Sequence, residues 1–506
     1  MNAPPPLTPA RARWVLFVTI LASSVVFIDM TIVNLALPVM QLETGSSFRA
    51  MQWVVEAYVL FLSALMLTGG GLADAFGRRR MMCTGAVIFG IASVWAGFSG
   101  SAQTLIAARA LQGVGGALLA PASLAIVSAA FPPGERGRAL GLWAAFSAVS
   151  IAIAPPLGGL LIELWSWRAV FFVNVPLLAL VLLIAPWQIA ESADHARGHD
   201  VDWWGSLTAI ASLGLLTFAL LQAGESGLGN ALVIACLVGA VVFAIAFVIA
   251  ERHAKSPMLP LSMFHSRRFS GLNMMTLVLF TAVGAVMFFL PMTLIQSLDY
   301  SPLQAGGAIA PSMLVMFIVA PQIGRFTDRY GPRLPLVIGP CLSALSYVLL
   351  ANTTDADFLS GMLVPIMLMG LGFGTWVTPL TSAVMSAAGD DRAGIASGIN
   401  NAVSRLAQLL AIAFLGLLAA STFNATLDVQ LVNAGFDADA IESLVGERIK
   451  LGAMSAPPTL PIELHDALSR AVAASFRQAF AEVAYTSAAL CVAASVIGFW
   501  AIRRPA

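Results

Sequence analysis

The sequence predicts an all-α integral membrane protein of fourteen spanning helices, on three observations. Hydrophobic residues make up 59% of the 506 and charged residues only 10%, far from a soluble composition. Apolar runs of about 20 residues, the length that crosses about 30 Å of hydrocarbon as a helix, recur along the chain. Arginines collect in alternate connections between those runs.

The first run follows a polar, proline-rich leader, MNAPPPLTPARAR, and covers 14–38. It is too long for a signal-peptide core and lacks a small-residue cleavage site, so it reads as an uncleaved span. The next seven runs lie at 50–73, 81–99, 103–130, 138–162, 169–190, 203–222 and 229–250. Six more follow at 269–296, 304–324, 334–351, 359–386, 393–420 and 478–502. The segment 421–477 is expected as one long external loop; AIESLVGERI has helical periodicity and APPTLP breaks it, so short surface helices are expected there.

Orientation follows from the basic residues. Alternate loops hold Arg78, Arg79 and Arg80; Arg136 and Arg138; Arg252, Lys255, Arg267 and Arg268; Arg329 and Arg333. Arg11, Arg13, Arg503 and Arg504 place both termini on that same side, whereas the short loops opposite hold only Arg49 and Arg168. Both termini are therefore expected in the cytoplasm, as an even number of spans requires.

An internal echo suggests how the spans are grouped. GGLADAFGRRR (70–80) follows the second span and GRFTDRYGPR (324–333) follows the tenth. Each sets a glycine, an aspartate four residues on, a second glycine three further, and then arginine. The expected organisation is an N-terminal six-helix bundle (1–190), a linker with two extra spans (191–266) and a C-terminal six-helix bundle (267–506) that includes the external loop. Six-span repeats built of nested triplets are a known transporter architecture.

Several function classes fall away. The formal net charge is zero, which gives no basic excess for nucleic acid. Cys83, Cys236, Cys341 and Cys491 all sit inside apolar runs, without disulfide or metal-ligand spacing. No nucleophile–base pair, metal cluster or phosphate-binding glycine loop stands at enzyme spacing, and the glycines of ALQGVGGALL fit helix packing. Neither a cofactor nor a metal is expected, and no soluble domain for ATP is visible.

What remains is charge inside the membrane. Asp29, in FIDMTIVNLALP, lies roughly 22 Å from Trp14 and roughly 13 Å from Pro38 at the helical rise. A lone carboxylate there costs on the order of 2.5–3.5 kcal/mol, so it should face the bundle interior or an aqueous cavity. It is either a structural carboxylate satisfied by hydroxyls and amides or a proton carrier; intramembrane acids are functional by default, which favours the second. Glu56 and Arg109 are expected at a similar depth. Glu56 reads equally as a second proton or cation site or as a partner of Arg109. An acid poised between desolvation and a nearby guanidinium changes protonation state when a helix tilts or water enters.

The two turns of the echo carry Gly70, Asp74, Gly77, Arg78 and Arg79 in one copy and Asp328, Arg329 and Arg333 in the other. They read as topology signals and as a charge latch that breaks and re-forms. Pro155 and Pro156 remove consecutive donors in mid-span and should bend the fifth helix, where Gly158 and Gly159 allow close approach. In the C-terminal half Arg405 falls mid-span beside Asn400, Asn401 and Gln408, a stripe that either lines a cavity or bonds adjacent helices. Asn34, Met287, Phe288, Phe289 and Trp376 complete a candidate substrate cavity, although such aromatic and methionine residues are more often packing.

At GGLADAFGRRR the chain closely resembles the major facilitator superfamily, specifically its fourteen-helix drug:proton antiporters. FIDMTIVNLALP is similar to the first-helix motif through Asp29, Thr31, Asn34 and Pro38. Gly70, Leu72, Asp74, Gly77, Arg78 and Arg79 match the signature loop, with Ala75 in place of its usual basic residue. RALQGVGGALLAPAS resembles the fourth-helix motif through Arg109, Gln112, Gly113 and Gly115. SIAIAPPLGG keeps Pro155, Gly158 and Gly159 of the antiporter motif, while two of its glycines appear as Ser150 and Ala154. Trp167, Arg168, Phe172, Asn174 and Pro176 fit the segment leading into helix six.

The resemblance implies the major facilitator fold, two six-helix bundles related by a pseudo-twofold axis plus two inserted helices, in a bacterial cytoplasmic membrane. It implies importance for Asp29 and Arg109, and a hinge or seal at the prolines of the fifth helix. The expected function is proton-coupled antiport that exports amphipathic, lipophilic drugs, cations included, driven by the proton gradient and not catalysed as an enzyme reaction. Two alternatives stay open: an exporter narrowed to one metabolite or toxin, and a non-transporting receptor or scaffold. Protons, amphipathic small molecules and the bilayer are the expected partners of a monomer. Some fourteen-helix relatives work with a periplasmic adaptor and an outer-membrane channel, but no docking feature for one is legible.

Overall fold

The computed structural model describes residues 8–193, 202–254, 259, 261–353, 358–389, 393–458 and 460–502. Lys255, Arg503 and Arg504, three of the charges used for orientation, lie outside them. The helices are α1 (Pro9–Thr44), α2 (Phe48–Phe76), α3 (Arg78–Gly97), α4 (Ala102–Ala130), α5 (Pro133–Leu164), α6 (Ala169–Phe172), α7 (Asn174–Gln188) and α8 (Trp203–Ser226). They continue with α9 (Ala231–His253), α10 (Arg267–Ser297), α11 (Pro302–Tyr330), α12 (Arg333–Ala351), α13 (Leu363–Ala388), α14 (Ala393–Asn433), α15 (Ala438–Ser443) and α16 (His465–Ala501).

Among the described residues, 13 helical stretches are long and apolar enough to cross a membrane. The remaining expected span, 138–162, falls in α5. Its apolar part, Val149–Leu164, is shorter, but α5 as a whole has 32 residues, more than the about 20 a span needs. Prolines stand inside many of these helices without ending them; Pro155 and Pro156 lie within a continuous α5.

The segment 421–477 differs from expectation. α14 continues to Asn433 and α16 begins at His465, so both flanking helices run well into it. Leu427, Leu431 and Leu468 are buried, and their helical spacing gives these extensions an apolar face. Short helices do occupy the remainder: α15, a 3-10 segment at Arg448–Ala453 kinked at Leu451, and a single turn at Ile462–Leu464.

Contacts divide the chain into two compact units. The first comprises 1–33, 57–213 and 241–260; the second comprises 34–56, 214–240 and 261–506. In the first, α3 packs closely on α4. A Cβ at Gly115 would stand 2.7 Å from the Phe89 backbone nitrogen, which is why ALQGVGGALL carries glycine there. In the second, α16 packs on α10, α12 and α14, and α13 packs on α11 and α12. Ala219 and Ala223 of α8 and Val233 and Cys236 of α9 form a small apolar cluster that Leu417 of α14 completes.

Candidate functional site

Asp29 is fully buried at 0% exposure, and α4 brings Arg109, 1% exposed, directly onto it. Arg109 Nη1 donates to Asp29 Oδ2 at 2.5 Å and to Gln112 Oε1 at 2.8 Å. The other carboxylate oxygen accepts from Gln112 Nε2 at 3.2 Å and from Asn174 Nδ2 at 2.9 Å. Ser93 of α3 ties the two amides together, accepting from Gln112 at 2.8 Å and from Asn174 at 3.4 Å. The Arg109 guanidinium also lies 4.1 Å from the centre of the Tyr58 ring.

Side chains from α1, α3, α4 and α7 thus form one buried network around the carboxylate. Gln112 follows Arg109 by three residues, so both face the same side of α4. Removing one partner from a buried pair leaves an uncompensated charge, at about 3–5 kcal/mol. The charges of Asp29 and Arg109 therefore depend on each other. The motif residues Gln112 and Asn174 take part; Ser93 carried no signal in the sequence, because a serine in a span ordinarily bonds its own helix.

Glu56, on α2, is also fully buried, and neither carboxylate oxygen has a hydrogen-bond partner among the described residues. Arg109 pairs with Asp29. A buried ionised carboxylate without partner or water is costly. A bound proton or a bound cation would remove that cost.

The turn between α2 and α3 forms a second cluster. Gly77 adopts φ +107°, a region that favours glycine. Asp74 accepts from Arg78 Nη2 at 2.8 Å. Glu191, just beyond α7, accepts from the Arg79 and Arg80 backbone nitrogens at 3.0 and 3.1 Å, satisfying the exposed N-terminus of α3. In return, Arg79 Nη1 donates to the carbonyls of Pro186 and Ile189 at the end of α7. Sequence reasoning missed Glu191. The available signal was an acid in the polar stretch ESADHARGHD, on the same expected side of the membrane as three arginines.

The echo turn is built differently. Asp328, Arg329 and Arg333 make no ion pair among the described residues; Arg329 lies over the Tyr330 ring at 5.2 Å and Arg333 over Phe499 at 4.4 Å. In α5, Pro155, Gly158 and Gly159 are buried and Pro156 is half-buried; Ser150 Oγ donates to Ser24 Oγ at 2.7 Å, a bond glycine could not make.

Of the candidate cavity residues, Phe288 and Phe289 are buried against Phe48, and Trp376 is buried between Phe280 and Phe373 with its indole donating to Ser343. In this structure these three are packing residues. Met287 and Asn34 are half-buried. Asn401 donates to Ser397 in its own helix, and Arg405 donates to Gln408 at 3.3 Å.

A profile of the Major Facilitator Superfamily matches residues 19–412. The chain belongs to that superfamily. It is therefore a multi-pass membrane transporter of small molecules. It is 33% identical over 420 residues to the multidrug resistance protein Stp of Mycobacterium tuberculosis (strain CDC 1551 / Oshkosh), covering 83% of this chain and 78% of that one. It is 32% identical over 462 residues to the tetracenomycin C resistance and export protein of Streptomyces glaucescens, covering 89% and 84%. A puromycin resistance protein of Streptomyces alboniger is 35% identical over 411 residues, covering 80% and 81%. Among solved structures, a bacterial homologue of the human lysosomal transporter Spinster, inward-facing and unoccupied, superposes with a TM-score of 0.66 at 16% identity. That match covers 99% of this chain and 100% of the other, a likeness of fold.

Proposed function

We propose that this superfamily member is a proton-coupled antiporter that exports amphipathic, lipophilic drugs, cations included, across a bacterial cytoplasmic membrane, with both termini inside. The observation that carries the reading is the fully buried Asp29–Arg109 pair with its amide shell. Protonation of Asp29 cancels its charge and obliges Arg109 to find new partners. The pair links one proton to a change in helix packing, the coupling that antiport needs. Each proton entering down the potential supplies about 2.3 kcal/mol per 100 mV. Names of relatives that specify drug resistance and efflux support export as the direction.

Glu56 is the second charged element, a site for a second proton or for the positive charge of the cargo. Asp74, Arg78, Arg79 and Glu191 form the latch on the arginine-rich side, and the proline pair of α5 is the hinge. A narrower reading, export of a single compound, has its own support in relatives named for tetracenomycin C, puromycin or methylenomycin A alone.

The deciding experiment uses purified protein in liposomes with an imposed pH gradient and a panel of drugs. Uphill drug movement should vanish when a protonophore collapses the gradient. Movement indifferent to the gradient would reject proton coupling, and movement of one compound only would select the narrow exporter.

A further inference from the structure

The second unit contains a cavity of about 290 Å³ that shares no residue with the Asp29 network. Its wall is made by the start of α2, the end of α8, the middle of α14 and the turn Arg448–Ala453. Arg49, Arg448 and Asn424 contribute polar groups; Phe48, Leu221 and Leu417 supply an apolar floor. None of the described lining residues is acidic.

Both guanidiniums are held in place from the side. Arg49 donates to Gln222 Oε1, and Arg448 pairs at 2.6 Å with Asp428, which is itself exposed. Yet Arg448 Nε is buried without a hydrogen-bond partner among the described residues, and so is Asn424 Oδ1. Buried polar atoms are satisfied in the great majority of cases, so an unmet donor and an unmet acceptor in two residues of one wall mark it as richer in polar groups than its protein partners require. Leu451, also in the wall, is buried with φ +49° and ψ −120°, a backbone conformation that residues with a side chain rarely adopt. Strain of this kind clusters at ligand clamps.

We propose that this cavity binds an amphipathic anion, with a carboxylate or phosphate head between Arg49 and Arg448 and an apolar part on Phe48, Leu221 and Leu417. The planar, multi-donor fork of arginine suits such a head, and desolvation by the apolar floor strengthens the contact. The cavity is at the small end for ligand sites and accommodates a head and the first carbons of a chain. Gln52 in the same wall precedes Glu56 by one helical turn, so the bound anion rests on the helix that carries that acid.

The test reads binding, so its result is independent of the transport reading. Delipidated full-length protein is titrated with dodecyl phosphate, with dodecyl maltoside as the neutral control. In a second arm, protein from nanodiscs of phosphatidylglycerol or phosphatidylcholine is examined by native mass spectrometry. One equivalent of dodecyl phosphate should bind, weakened about tenfold or more by Arg49→Gln with Arg448→Gln. Leu417→Trp, which fills the cavity without touching a charge, should weaken it equally, and it decides the matter if the double variant fails to fold. Retention of phosphatidylglycerol alone assigns the ligand to the bilayer, and binding of the free amphiphile alone assigns it to solution. Equal affinity in wild type and variants, equal binding of dodecyl maltoside, or no binding in either arm overturns the proposal.

Discussion

Gly77 and Gly331 hold the same place in two copies of one short pattern, and both adopt a positive φ, +107° and +84°. In each copy the preceding helix stops at that glycine, whose N–H reaches back to a carbonyl four residues earlier, at 3.1 and 2.8 Å. The backbone device is shared; the charges around it are not. At Gly77, Asp74 holds Arg78 and Glu191 sits so close that an added Cβ would come within 2.6 Å of its carboxylate. Around Gly331 there is open space, Asp328 is exposed, and the arginines lie over aromatic rings. The same imbalance recurs inside the helices. The first unit buries an acid–guanidinium pair with an amide shell, whereas Arg405 in the second is half-buried and leans on Gln408. A repeated pattern thus transmits the turn and not its electrostatics, because the turn depends on one residue's dihedral angles and the charge cluster on partners from elsewhere in the chain.

The largest expected difference lies between Asp29 and Arg405. Asp29→Asn keeps the shape of the site and removes the charge that Arg109 needs; gradient-driven drug uptake into liposomes should fall about a hundredfold or more. Arg405→Gln should cost about threefold or less in the same assay, since the half-buried Arg405 leans on a neutral amide, Gln408, at 3.3 Å. Equal losses would break the contrast between the two units.

Glu56→Gln should come next. Export of dicationic drugs should drop about tenfold, the scale of one charge-assisted contact, and monovalent or neutral drugs should change far less. A uniform loss across the panel would remove Glu56 from cargo recognition.

The turns themselves should differ more modestly. Asp74→Asn and Glu191→Gln should each slow efflux several-fold, about 1 kcal/mol of barrier, with protein levels preserved on blots. Asp328→Asn should stay within experimental error of wild type, and an Asp328 variant as slow as the Asp74 one would show that the echo also works as a latch.

The smallest effect concerns stability. Gly331→Ala should cost about 1 kcal/mol for the positive φ alone. Gly77→Ala should cost that and more, because Glu191 must also withdraw from the α3 N-terminus. Thermal unfolding in detergent ranks the two, and the reverse order would deny Glu191 its place.

Much of this was legible beforehand. All fourteen expected spans lie on helices, because span length and apolarity are properties of a contiguous segment. The cost of burying Asp29 marked it before any partner was known. The long segment after 420 was less legible: the leucines of its helical extensions are spaced among polar residues, so a hydropathy count stops where the helix does not. Phe288, Phe289 and Trp376 looked the same as cavity-lining residues would, since packing and binding draw on one set of side chains.

By itself, then, the sequence determined where the chain crosses the bilayer, which turns carry positive charge, and that an acid must be sheltered in the first helix; each is a local sum over neighbouring residues. Tertiary structure alone decided who shelters it. Arg109, Gln112 and Asn174 stand 80, 83 and 145 positions away along the chain, and only folded helices bring such donors within bonding distance of one carboxylate. It also decided that Glu191 meets the start of α3 while Asp328 makes no ion pair among the described residues, and that Glu56 has no hydrogen-bond partner among them, because hydrogen bonds depend on ångström-scale placement that no spacing of letters records.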